Sequence, residues 1–206
     1  MSKIEVVLAT KNRGKVRDFA DIFDQMGLSD RITLLDLSHF PGFPDVPEDG
    51  ATFSENALIK ARAAAAHTGK ISVADDSGIV VDALGGAPGI YSARFAGVSA
   101  DDRANNEKLL QMMKDVPEAE RRASFRAAVA IVSPEGKEEV VVGECHGYVA
   151  AAPLGTNGFG YDPLFFYLPL NKTYGQMTDE QKNRISHRRR AIEACAARLV
   201  TFIDNT

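Results

Sequence analysis

Residues Ala74–Gly97 read ADDSGIVVDALGGAPGIYSARFAG. The residues leading into this stretch, Ile71-Ser-Val-Ala74, read as a short strand. Two carboxylates, Asp75 and Asp76, follow at once, then Ser77, Gly78 and a loop that contains Gly85, Gly86, Pro88 and Gly89. Acids at the point where a strand runs into a glycine-rich loop stand where α/β folds usually place their chemistry. Adjacent carboxylates repel unless a cation lies close, which points to a hard divalent metal. Taken alone, the tetrapeptide reads first as a polar turn, because Asp, Ser and Gly all favour turns. The flanking segments bear on that choice.

Upstream, Ile4–Ala9 is an apolar run interrupted only by Glu5, short enough for a buried strand. Thr10-Lys11-Asn12-Arg13-Gly14-Lys15 comes next, and then Val16, Phe19, Ala20, Phe23 and Met26 recur at helical spacing up to Gly27. A strand, a polar loop with glycine and lysine, and a helix together make a natural phosphate site. The loop misses the P-loop pattern, which needs Gly at position 9 and Ser or Thr at position 16, where this chain has Ala9 and Val16. A second strand is expected over Ile32–Leu37 and a proline-rich loop over Phe40–Pro47. After Glu48-Asp49-Gly50, Thr52 and Glu55 form a capping box for an alanine-rich helix that carries Asn56 and Lys60 on one face and ends at Gly69.

Downstream, Ser99 and Asp102 resemble a second capping box, for a helix through Met113. Ala123–Ser133 and Glu138–Ala151 alternate as a long hairpin around Pro134-Glu-Gly-Lys137, so the sheet should be mixed. His146, in the hairpin, reads as structural. Gly155–Pro163 is a second glycine-rich loop; Phe159 and Tyr161 in it suit stacking on a planar ring, or else they plug the core. Thr178 and Gln181 form a further capping box ahead of Lys182-Asn-Arg-Ile-Ser-His-Arg188, and Ser186 marks a break before a last helix.

Composition sets the class. The chain has 206 residues, 45% of them hydrophobic and 25% charged, which suits one large globular domain, or one domain in two lobes, over 1–206; the strand–helix units make its class α/β. A net charge of −4 argues against a nucleic-acid binder but not against a local basic pocket. Cys145 and Cys195 lack metal-ligand spacing and read as reduced thiols of a cytoplasmic protein. No membrane span or secretion signal is seen.

Five segments in order resemble the inosine triphosphate pyrophosphatase, or Ham1-like, family. They are Thr10-x-Asn12-x-Gly14-Lys15; Glu48-x-Gly50-x-Thr52-Phe53 with Glu55-Asn56-Ala57 and Lys60-Ala61; Ala74-Asp-Asp-Ser-Gly78 with Leu84–Arg94; Gly158-Phe-Gly-Tyr-Asp-Pro163; and Ile185-Ser-His-Arg188. The resemblance implies a mixed central sheet flanked by helices, two lobes with a cleft between them, and a homodimer. It also implies Mg²⁺-dependent hydrolysis of dITP, ITP and XTP to the monophosphate and pyrophosphate. Carried over by position, it puts Thr10, Lys11, Asn12, Arg13, Gly14, Lys15 and Lys60 on the phosphates. Glu48 and Asp76 fall on the metal, with Asp75 as a further candidate. Asp76 becomes the general base and Ser77 a substrate contact. Phe159, Gly160 and Tyr161 surround the purine, and Asp162, Lys182, His187 and Arg188 read its edge. Asp49 stands where the bacterial pattern often has Thr, which leaves open which acid binds the metal.

Overall fold

The structure, a computed structural model, describes residues 3–204. Seven strands form one sheet: β1 (Ile4–Leu8), β2 (Ile32–Asp36), β3 (Ile71–Val81), β4 (Arg122–Val132), β5 (Glu138–Val149), β6 (Phe165–Tyr167) and β7 (Lys172–Thr173). Their order is β2-β1-β3-β4-β5-β6-β7. β1 runs parallel to β2 and β3, whereas β6 runs antiparallel to β5 and β7, so the sheet is mixed, as the hairpin predicted. The helices are α1 (Arg13–Gln25), α2 (Phe53–Thr68), α3 (Asp102–Met113), α4 (Asp179–Ile185) and α5 (His187–Asp204). Among the described residues no helix is long and apolar enough to cross a membrane.

The chain divides into two compact units: residues up to 76 with 127–143 and the chain from 188 onward, and residues 77–126 with 144–187. In the first, strand alternation sorts side chains onto two faces. Ile71, Val73, Val6, Leu8, Val129 and Ile131 face α1 and α5, whose Phe19, Phe23, Leu199 and Phe202 are buried against them. On the other face Ala74, Ala128 and Ala130 meet Ala57, Ala61 and Ala65 of α2. That contact is built from alanine on both sides, so the α2 backbone can lie close to the strands. Each fully buried large apolar side chain contributes about 1.5–3 kcal/mol to folding.

The second unit has its own core. Phe125 packs against Phe165 and stacks on Tyr174, with ring centroids 4.7 and 5.7 Å away. Ile79, Val81, Leu109, Met113 and Leu164 complete it. Cys145 and Cys195 are both buried, and no disulfide joins them. Burial raises the pKa of the Cys195 thiol.

Three expectations change. Asp75 and Asp76 do not stand where a strand ends: β3 continues through Asp-Asp-Ser-Gly to Val81. The α3 cap is Asp101, whose carboxylate accepts from Ala104 N–H, and not Ser99. Glu55 closes its end of the α2 cap on Ala51 N–H, one residue before Thr52.

β3 can pass through Gly78 because that residue has no side chain. Ser92 Oγ accepts a hydrogen bond from Ile79 N–H at 3.0 Å and donates to Gly89 O at 2.6 Å. A Cβ on Gly78 would overlap Ser92 Oγ and lie 2.7 Å from Gly89 O. Gly78→Ala is therefore expected to destabilise by about 1–3 kcal/mol, the usual range for overpacking. A urea midpoint equal to wild type would mean that the 89–92 segment yields without loss.

Candidate active site

The two acids of β3 point to opposite faces of the sheet. Asp75 turns toward α1, where Lys15 Nζ lies 2.9 Å from Oδ1. Asp76 turns toward α2, where Asn56 Nδ2 donates to Oδ2 at 3.1 Å and Lys60 Nζ lies 3.7 Å from Oδ1. Alternation thus parts the two charges and puts a lysine beside each acid, Lys15 by Asp75 and Lys60 by Asp76.

α1 begins earlier than the apolar spacing suggested. Asn12 is its N-cap, and the side-chain oxygen accepts from Gly14 N–H at 2.9 Å and Lys15 N–H at 3.2 Å. Thr10 Oγ1 accepts from Asn12 N–H at 3.1 Å, which leaves its hydroxyl hydrogen to donate elsewhere. Lys11, Asn12, Arg13 and Gly14 are exposed and Lys15 is half-buried. Arg188, at the start of α5, pairs with Asp18 of α1 at 3.1 Å.

The loop before α2 brings Glu48 to the same lysine as Asp76: Lys60 Nζ donates to Glu48 Oε2 at 2.9 Å. Asn56 is fully buried and joins the two acids' supports, because its Oδ1 accepts from Gly50 N–H at 2.9 Å. Sequence reading gave Asn56 only a helix face shared with Lys60 and a place in the family segment, without a role.

In the second unit, Phe159 is 61% exposed, and Lys182 Nζ sits 4.5 Å from its ring centroid. Lys182 also pairs with buried Asp162, whose Oδ2 accepts from Phe159 N–H. The side chain of Tyr161 is placed in the core, with its hydroxyl donating to Ser92 O at 2.8 Å. His187 is buried and stacks on Phe125 at 4.8 Å. Ser77 follows Asp76 on β3 and is half-buried.

Among the described residues, no three His, Cys, Asp or Glu side chains converge as a ready metal cage. Mg²⁺ does not need one, since it takes one or two carboxylates and completes its shell with water and phosphate oxygens. Glu48 and Asp76, two carboxylates that share one cationic partner, supply such a set. Asp75 Oδ2 is buried without a hydrogen-bond partner, a further oxygen of the right hardness.

A model of the Ham1 family matches residues 6–198. The chain belongs to the Ham1 family. It is 52% identical over 187 residues to a protein of Geobacter sulfurreducens named dITP/XTP pyrophosphatase, covering 91% of this chain and 92% of that one. The solved structure of the Staphylococcus aureus Ham1 protein aligns at a TM-score of 0.87 with 43% identity, over 96% of this chain and 98% of that one. A Ham1 protein from Coxiella burnetii aligns at 0.89 with 36% identity, over 96% and 99%.

In this Ham1-family chain the electrostatics separate the acids further. Burial, the largest influence on Asp75, favours its neutral form. The Lys15 and Arg188 charges and the Lys15 hydrogen bond outweigh it and hold the pKa below the ordinary carboxylate value. On Asp76 burial prevails over Lys60 and the Asn56 hydrogen bond, and the Glu48 charge adds to it, so the pKa is raised.

The depressed pKa of Asp75 makes a stability contribution that is complete above the unfolded carboxylate pKa and lost as pH falls through the lower folded value. Lys15→Met removes the closest compensating charge and leaves a buried carboxylate. It should cost about 3–5 kcal/mol at neutral pH. With burial less opposed, the folded pKa of Asp75 rises, so the deficit should shrink as pH falls and the carboxyl protonates. Thermal melts from pH 7 down to pH 4 check this: a deficit independent of pH would show that Lys15 contributes through packing alone.

Proposed function

We propose that this protein is a nucleoside triphosphate pyrophosphatase acting on deaminated purine nucleotides: dITP, ITP and XTP. The observation that carries the reading is the ion-pair set of the first unit. Two lysines, Lys15 and Lys60, are anchored to three clustered carboxylates, Asp75 and Asp76 on β3 and Glu48 in the loop before α2. Such a set suits a metal-bound triphosphate. The names of the relatives give the substrate class.

In this mechanism Lys15, Lys60, Asn12 and the Thr10 hydroxyl hold the triphosphate, with Lys11, Arg13 and Gly14 at its edge. Glu48 and Asp76 would hold Mg²⁺, with Asp75 close by. The metal would neutralise phosphate charge and lower the pKa of water. Asp76 takes a proton from the attacking water at its carboxylate. The water oxygen bonds to the α-phosphorus, the bond from that phosphorus to the bridging oxygen breaks, and pyrophosphate leaves. The pKa of Asp76 need not be raised for this, because the metal would lower that of the water and the two would share the task. Ser77 contacts substrate beside it.

The base is assigned to the second unit's loop. Phe159 offers an exposed ring for stacking, and Gly160 permits close approach of backbone. Tyr161 supports the loop from the core. Asp162, Lys182 and His187, with Arg188, read the purine edge. Hypoxanthine and xanthine present a 6-keto acceptor, whereas adenine presents a 6-amino donor. Lysine and arginine can only donate, so they pair with the first two and oppose the third. A buried donor left unpaired costs about 1–3 kcal/mol. Guanine shares the 6-keto group, so its 2-amino group must be refused by shape or by an unpaired donor elsewhere in the pocket.

Incubation with dITP and Mg²⁺ should release pyrophosphate; release of orthophosphate would overturn the assignment of the broken bond. Asp76→Asn should fold and lose roughly 10²–10⁴-fold in kcat, the range for a removed general base. Near-normal turnover in the folded variant would remove Asp76 from that role. Arg188→Ala should lower the kcat/KM ratio of dITP to dATP, with the dITP to dGTP ratio changing less. An unaltered dITP to dATP ratio would assign Arg188 to the phosphates and the fold, through Asp18 and Asp75.

A further inference from the structure

We propose that α3 sets the conformation of the base loop through Asp102 and Asn106, which act as positioning residues for purine recognition. This rests on the reading of residues 158–162 as the base loop. Asp102 Oδ2 accepts from Gly160 N–H at 2.7 Å, and Asn106 Nδ2 donates to Gly160 O at 2.8 Å. The two side chains are four residues apart, so they lie on one face of α3, one turn from each other. They hold the peptide groups on either side of the Gly160 α-carbon.

That carbon is the turning point of the loop. Gly160 has φ +59°, in the left-handed region. A glycine there explores many conformations unless its peptides are fixed. Phe159 precedes it and is exposed; Tyr161 follows it and is buried. Fixing both peptides of Gly160 therefore fixes which aromatic faces outward. Within the loop itself Phe159 N–H donates to Asp162 Oδ2 and Asp162 N–H to Phe159 O at 3.2 Å; neither bond reaches the 160–161 peptide, which Asn106 holds.

α3 is itself held against the neighbouring segment. Asn105 Oδ1 accepts from Ala96 N–H at 2.8 Å, and Asn105 Nδ2 donates to Ala93 O at 3.2 Å. Tyr161 closes the circuit on Ser92 O. Three side chains within little more than one turn, Asp102, Asn105 and Asn106, thus tie two loops to one helix. Neither Asp102 nor Asn106 belongs to the five segments of the family resemblance.

The test uses Asp102→Ala, Asn106→Ala and the conservative Asp102→Asn, whose amide oxygen still accepts. The alanine variants should raise KM for dITP about tenfold or more, as loss of positioning does. Their kcat should stay near wild type, and inhibition by inorganic tripolyphosphate, which reports only the phosphate side, should be unchanged. Asp102→Asn should restore KM. A fall in kcat at constant KM, or weaker tripolyphosphate inhibition in parallel, would overturn the proposal, because a merely structural role predicts those. Hydrogen exchange of a peptide covering residues 159–161 gives a readout independent of activity. Exchange should quicken in Asp102→Ala while the rest of α3 keeps wild-type protection; unchanged exchange sinks the clamp. Wild-type protein inactive on dITP, with the clamp seen by exchange, would overturn the base-loop reading and leave the clamp standing.

Discussion

The structure depends on two negative charges being tolerated inside a strand. A carboxylate buried without compensation is driven to its neutral form at a cost of several kcal/mol. β3 carries two in succession, with Asp75 only 3% exposed. Strand geometry solves half of the problem by sending adjacent side chains to opposite faces. The helices solve the rest: α1 delivers Lys15 to one face and α2 delivers Lys60 and Asn56 to the other. The first unit is therefore a three-layer stack partly because the acids need a cation on each side. The same lysines are the groups a triphosphate would call on, so folding electrostatics and the proposed chemistry draw on one set of charges.

This also explains what the sequence made legible and what it did not. Amphipathic spacing and caps located α1, α2 and α5, since Phe19 and Phe23 or Ala57 and Ala61 repeat with the helical period. Alternation located the hairpin. The reading failed at Asp75–Gly78, where turn propensity is local and the compensation is not: Lys15 lies 60 residues upstream and nothing in the tetrapeptide announces it. It failed at Ser99 for a smaller reason, since two acids, Asp101 and Asp102, compete for one cap and the second is used on Gly160.

At the candidate site, residue types were legible and partnerships were not. Lys182 and Asp162 were both named as base-edge readers, but their pairing with each other, under Phe159, needs a contact across 20 residues of sequence. Tyr161 looked equivalent to Phe159 by type. Only the core, through Ser92, distinguishes them. His187 carries a ring that could read a base, yet Phe125 stacks on it, which restrains the ring's plane.

The placement of the charged groups bears on how exact the proposed chemistry can be. Phosphoryl transfer is catalysed by position and charge, so the groups must sit on rigid supports. Lys15 is in the first turn of α1, Lys60 is within α2, and Asp75 and Asp76 are within β3. Glu48 alone comes from a loop. That loop is held by Gly50 N–H on Asn56, the same side chain that orients Asp76. A Cβ at Gly50 would lie 2.8 Å from Asn56 Oδ1, so the close approach needs glycine. Asn56 thereby gives a loop carboxylate a support shared with the strand carboxylate. Asp76 bonds that buried amide directly, and Glu48 lies two residues before the glycine bonded to it, so one interior side chain supports both acids proposed to hold the metal.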